Sequence, residues 1–208
     1  MTQPETHDFA VASTKDVHVG RILALRLDEV VMPGGNTARR EVVEHHAAVA
    51  IVAMDDDDNV AMIRQYRHPM GDRLWELPAG LVDVAGEDPL AAARRELVEE
   101  AGLAARRWDV LVDVASSPGF TDEVVRVYLA RDLTEVGRPE GTEEEADLQV
   151  RRMPLAETVR MALAGELINA TAVSAVLAAH AVSTGAAESR PADAPWSSMS
   201  RTFAARLR

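Results

Sequence analysis

The chain of 208 residues contains no cysteine, which excludes disulfides, thiolate metal sites and cysteine nucleophiles together. It is also short of positive charge: 22 Lys and Arg stand against 34 Asp and Glu, a formal net charge of -12. That balance argues against a protein whose main business is gripping nucleic-acid phosphates or an anionic membrane surface. An anionic ligand would have to be recruited locally, by metal ions or by placed arginines. No apolar stretch approaches membrane-spanning length, and "MTQPETHDFAVASTKDVHVG" has neither the basic start nor the apolar run of a secretion signal. The expected compartment is the cytoplasm, with neither nucleic acid nor membrane as a partner. What is present is 47% hydrophobic residues, enough to bury a sizeable core in one domain with an extension.

The first twenty or so residues are polar and aperiodic, and "GAAESRPADAPWSSMSRTFAARLR" from Gly185 onward is rich in Ala, Ser, Pro and Arg, so both ends read as arms or tails. Two strand-like runs flank "PGGN" between Gly20 and His46, which gives an N-terminal β-hairpin extension. "HAAVAIVAMD" and "VAMIRQYRH", separated by an acidic turn, read as two adjacent strands of a buried sheet, with "RLWELPAG" as a third. Beyond a helix come "WDVLVDVASS" and "VVRVYLARDL", joined by a Pro-Gly turn, then an acidic loop, "GRPEGTEEEADLQV". Two alanine-rich helices follow, from Pro154 to about Leu167 and from about Thr171 to Thr184. This order implies an α/β fold, a mixed sheet with both faces covered. The expected divisions are 1–46 for the N-terminal arm and β-rich region, 47–185 for the main domain and 186–208 for a C-terminal tail.

"ARRELVEEAGL", residues 93–103, crowds Glu96, Glu99 and Glu100 into about one turn of the helix. Like charges four residues apart cost roughly 0.2–0.5 kcal/mol on an exposed helix. Arg95 lies one turn before Glu99 and can pair with it, whereas Glu96 and Glu100 have no basic neighbour at helical spacing. Asp88 before Pro89 makes a good N-cap and Gly102 a good stop. Leu90, Ala93, Leu97 and Ala101 form the apolar stripe, with Glu96 and Glu100 along one flank. Two carboxylates on one flank suit magnesium, which takes hard oxygen ligands, keeps several waters and shares the phosphates of a substrate. Two other candidates fail on spacing. Asp55, Asp57 and Asn59 start like a calcium loop, but Val60 and Tyr66 occupy the places of its glycine and closing glutamate. His45 and His46 are adjacent and lack cysteine partners for zinc.

The stretch "GLVDVAGEDPLAAARRELVEEAGL", residues 80–103, resembles the Nudix box. From Glu87 through Arg95, Glu96, Leu97, Glu99, Glu100, Gly102 and Leu103 every position matches. Six residues separate Gly80 from Glu87 where the family has five, so strict counting moves the first glycine to Leu81 and leaves the loop around Ala79 and Gly80 open. "QYRHPMGDRLWELPAG" and "SSPGFTDEVVRVYLARDL" are similar to the ADP-ribose pyrophosphatase branch, in which a proline about fifteen residues past the box marks preference for ADP-sugars; Pro118 stands there. The similarity runs from about Gly20 to Ser183.

That resemblance implies a Nudix α/β/α sandwich, a homodimer built through the N-terminal β region, and magnesium-dependent hydrolysis of ADP-ribose to AMP and ribose 5-phosphate, with Mn2+ as a substitute for Mg2+. It implies Glu96, Glu100 and the backbone carbonyl of Ala79 as metal ligands, Glu99 as a further contact and Arg95 as their orienting partner. A downstream glutamate serves as general base or metal-linked water-positioning group. Glu145 is favoured, Glu144 comes next and Glu143 is also available. Arg67 would face the phosphates and Glu123 the terminal ribose, beside Pro118 and Gly119. Trp75, Tyr66, Phe120 and Trp108 are all available to stack on adenine. The competing readings are another nucleoside diphosphate sugar or derivative as substrate, and a Nudix-like module that binds nucleotide sugars without turnover.

Overall fold

The computed structural model describes residues 7–84, 86–139 and 147–206. Its chain divides into two compact units, one of Met1–His46, Ser117–Glu123 and Ser200–Arg208, the other of Ala47–Ser116 and Val124–Met199.

The larger unit is built on β4 (Ala48–Ala53), a six-residue strand buried along its whole length. Because side chains alternate across a strand, Ala48, Ala50 and Val52 enter one apolar cluster while Val49, Ile51 and Ala53 enter another. β4 is the fourth strand of a five-stranded sheet in the order β11-β8-β9-β4-β7, with β8 at Leu103–Ala115, β9 at Val124–Glu135, β7 at Ala79–Leu81 and β11 at Arg190–Pro191. It runs parallel to β9 and antiparallel to β7, so the sheet is mixed. Helix α1 (Pro89–Ala101) supplies Ala92, Ala93 and Leu97 to one cluster. Helices α2 (Leu155–Leu163) and α3 (Ala170–Ser183) supply Leu155, Met161, Ala172, Ala175, Val176 and Ala179 to the other. Helices thus cover both faces, as the expected α/β/α sandwich requires.

The strands on either side of the acidic turn do not share a sheet, contrary to the expectation. β5 (Asn59–Arg67) sits between β10 (Gln149–Pro154) and β6 (Asp72–Glu76) in an antiparallel sheet of its own, joined to the β4 side by a Met54–Val60 bridge and by Val60, Ala61 and Met62, which pack into the same two apolar clusters. The turn between them is held by Asp55, whose Oδ1 accepts the N–H groups of Asp57 and Asn59, as a turn rather than a calcium loop would have it. "RLWELPAG" is likewise two strands. Pro78 has no N–H to give to a ladder, and the chain changes partner there, β6 pairing with β5 and β7 with β4. β10 falls partly in the expected acidic loop. Five of its six residues are exposed, as suits an edge strand without an alternating pattern.

The smaller unit holds the expected hairpin, β2 (Leu23–Val31) and β3 (Thr37–His45), but adds β1 (Val11–Val19), which had read as part of an aperiodic arm. β1 is exposed along both faces and has two register shifts against β2, so it leaves no burial pattern in the sequence. The C-terminal stretch, which had read as a tail, carries β11 in the larger unit and α4 (Thr202–Arg206) in the smaller. Arg206 of α4 pairs with Glu44 of β3 and Asp16 of β1, and Phe203 packs edge-on against His46. No described helix is long and apolar enough to cross a membrane.

Candidate functional site

Helix α1 starts and stops where its sequence dictates. The Asp88 side chain accepts the N–H of Leu90 at 3.0 Å, Pro89 occupies the first turn, and Gly102 closes the helix at φ 65. Its apolar stripe docks on the sheet, and that docking carries the neighbouring flank inward: Glu100 is buried and Glu96 keeps 12% of its side-chain surface exposed. Glu99, one position round the helix, keeps 37%.

Neither inward glutamate lacks a partner, which corrects the view of an unpaired flank. Arg95 reaches back along its own helix to pair with its neighbour Glu96, lies 3.4 Å from Glu99, and makes a two-nitrogen contact with Glu87 at 3.1 and 2.9 Å. Glu100 accepts the backbone N–H of Ala79 at 2.8 Å. Ala79 is therefore beside the glutamates as expected, with its N–H already committed to Glu100. A Cβ at Gly80 would fall inside the Glu96 carboxylate. That close approach assigns the demand for glycine to position 80.

Burial pushes Glu96 up to about 7, against the opposing pull of Arg95, and nearby Glu99 and Asp83 add to the rise. Burial likewise pushes Glu100 up to about 8, with the Ala79 N–H opposing and Glu96 reinforcing. The Arg95 hydrogen bonds hold Glu87 below the usual carboxylate range. Two adjacent carboxylates that resist ionisation form an environment that a bound cation would relieve. Among the described residues no three acidic or imidazole side chains gather as a complete cage. Two carboxylates next to a backbone strand nevertheless match what magnesium takes from a protein when substrate phosphates and water complete its shell.

Arg67, at the end of β5, donates to Glu76 through Nε at 3.0 Å and Nη2 at 2.6 Å, and Gln65 donates to the same carboxylate at 3.2 Å. Arg67 favours, and Glu76 opposes, ionisation of Glu100, which brings this group into the same electrostatic neighbourhood. Glu76 was missed at the sequence level. It sits in "RLWELPAG" as one more strand residue, and nothing local aims Arg67 at it. Pro118, Gly119 and Glu123 belong to the smaller unit. There Pro118 and Gly119 are exposed in a turn closed by Phe120 and Thr121 N–H bonds to Ser117, the Phe120 carbonyl accepts Val43 N–H at 2.7 Å, and Glu123 lies 3.4 Å from His45. Glu143, Glu144 and Glu145 lie outside the described residues. Of the aromatic candidates, Trp108 is a core residue and Trp75 packs against the core beneath Arg64, whereas Tyr66 and Phe120 are exposed.

The NUDIX domain model matches residues 44–173. The ADP-ribose pyrophosphatase of Mycobacterium tuberculosis is 58% identical over 200 residues, 96% of this chain and 97% of the relative. A methanol dehydrogenase activator of Bacillus methanolicus is 34% identical, with 71% of this chain and 79% of the relative covered. Among solved structures, an ADP compounds hydrolase superposes with a TM-score of 0.77 at 25% identity, covering 88% of this chain and 98% of its own. With a glutamate pair seated on helix α1, a glycine pressed against it and a family match across most of the chain, the protein belongs to the Nudix family.

Proposed function

We propose that the chain hydrolyses the pyrophosphate of ADP-ribose to AMP and ribose 5-phosphate in the presence of Mg2+, with Mn2+ as a substitute. The observation that carries this reading is the adjacent pair Glu96 and Glu100, both raised by burial in a protein of net charge -12. It is supported by the extended similarity to an ADP-ribose pyrophosphatase.

Glu96, Glu100 and the Ala79 backbone would hold the metal. Bound there, it would neutralise phosphate oxygens and lower the pKa of a water. Arg95 fixes the rotamers of Glu96 and Glu87, so the carboxylates meet the cation without first being ordered. Glu76 holds the Arg67 guanidinium in one orientation, which suits it to a phosphate oxygen. In this reading Glu99 adds an outer contact, Glu145 takes the proton of the attacking water, and Pro118, Gly119 and Glu123 contact the sugar.

Chelation should abolish turnover and Mg2+ or Mn2+ should restore it; full activity in chelator-treated protein contradicts the reading. Glu145→Gln should lower turnover by about 10²–10⁴ while Glu143→Gln stays near wild type. A large loss in Glu144→Gln alone moves the role to Glu144. We also place a homodimer contact in residues 1–46, supported by β1, whose Val11, Val17 and Val19 are each more than half exposed. Sedimentation of the chain with and without these residues tests it, and an unchanged mass per particle rules the contact out.

A further inference from the structure

The last turn of an α-helix presents carbonyls that have no partner within the helix, and a cation placed there satisfies them and meets the negative end of the helix dipole. Helix α1 itself has no basic residue in its last turn. The cation comes from Arg138, where the chain leaves β9. Its Nε donates to the Glu99 carbonyl at 3.4 Å, and its Nη1 donates to the Leu148 carbonyl at 3.2 Å, just before β10. The backbone there is pressed against the end of the helix: Val136 N–H donates to the Gly102 carbonyl at 2.9 Å, and a Cβ on Gly102 would lie 2.9 Å from the Arg138 nitrogen and 3.0 Å from the Gly137 carbonyl carbon. Gly102 therefore answers two demands, a left-handed cap at φ 65 and the close passage of Gly137 and Arg138.

We infer that Arg138 is a positioning residue for the hydrolysis: one guanidinium ties the helix turn that carries Glu99 and Glu100 to the backbone at Leu148, just before β10. The fork suits this role because its donors are fixed in a plane and can serve two carbonyls at once, which a lysine ammonium on a flexible stem does less well. The inference rests on the reading that the glutamates of this helix hold the metal for the hydrolysis. Misplacing groups that must meet at one phosphate is costly even when the displacement is small.

The test compares wild type, Arg138→Ala and Arg138→Lys with ADP-ribose and Mg2+, alongside hydrogen exchange in the peptide spanning residues 97–103. In Arg138→Ala, kcat should fall about 10- to 100-fold with KM little changed, exchange in 97–103 should rise, and added ethylguanidinium should raise kcat of this variant but not of wild type. Arg138→Lys should fold and fall in between. A kcat in Arg138→Ala equal to wild type overturns the inference, as does a loss matched by the unfolded fraction with no guanidinium rescue. If Arg138→Ala does not fold, Arg138→Lys decides, and a wild-type kcat in it overturns the inference. Failure of the wild-type chain to cleave ADP-ribose is a separate outcome, which overturns the proposed substrate. The exchange measurement then judges Arg138, and unchanged exchange in 97–103 refutes the tie.

Discussion

At the scale of single residues, Glu96 and Glu100 make a dependence on pH that the cation should remove. Their folded pKa values, about 7 and about 8, lie above the usual 4.5. Between those limits the folded protein binds more protons than the unfolded one, so stability falls as pH rises. Metal-free protein should therefore melt at a lower temperature at pH 8.5 than at pH 5.5. Glu96→Gln and Glu100→Gln should each flatten the slope and melt no lower than wild type at the higher pH, while losing at least about 10²-fold in turnover. Thermal scans in chelator across that range check it, and a slope unchanged in both variants would show that other groups cause it. Gly80→Ala is a sharper probe, because its methyl group must displace the Glu96 carboxylate. Turnover should fall with little change in Mg2+-free melting, and a fully active Gly80→Ala would show that Glu96 can leave its position without consequence.

Among the elements, α1 is the one most nearly written in its own sequence. Asp88, Pro89 and Gly102 bound it, and the stripe through Ala93 and Leu97 faces the core. Asp88→Ala should cost roughly 0.5–2 kcal/mol by removing the N-cap bond to Leu90, measurable as a lower denaturant midpoint with an unchanged slope. Loss of cooperativity instead would mean that the helix start organises more than itself. Other elements were legible only in part, for reasons of pairing. β4 and β5 each have strand composition, but periodicity does not say which strands share a sheet, and Pro78 redirects the chain by removing a donor. β1 is exposed on both sides and β10 mostly so, and neither carries the alternation that burial on one face imposes. The site was legible where it is local, along Glu96, Glu99, Glu100 and Arg95. It was not legible where distant segments meet: Glu76 under Arg67, Gly80 against Glu96, and Arg138 at the end of α1.

For the whole molecule, an excess of negative charge must coexist with an anionic substrate. Helices on both faces of the five-stranded sheet fix α1 against β4 and β7, and so hold two carboxylates in a partly dehydrated place where, once ionised, they would attract a cation more strongly than exposed glutamates would. A dissolved phosphate ester should then meet the protein's surface as a repulsive field and the loaded site as an attractive one. The most direct measurement of this assignment is the specificity constant, with Mg2+, for ADP-ribose against ADP-glucose, NADH, diadenosine polyphosphates and nucleoside triphosphates. ADP-ribose should rank first, with AMP and ribose 5-phosphate as products. A triphosphate or dinucleoside polyphosphate ahead by tenfold or more, about 1.4 kcal/mol of transition-state preference, would contradict it.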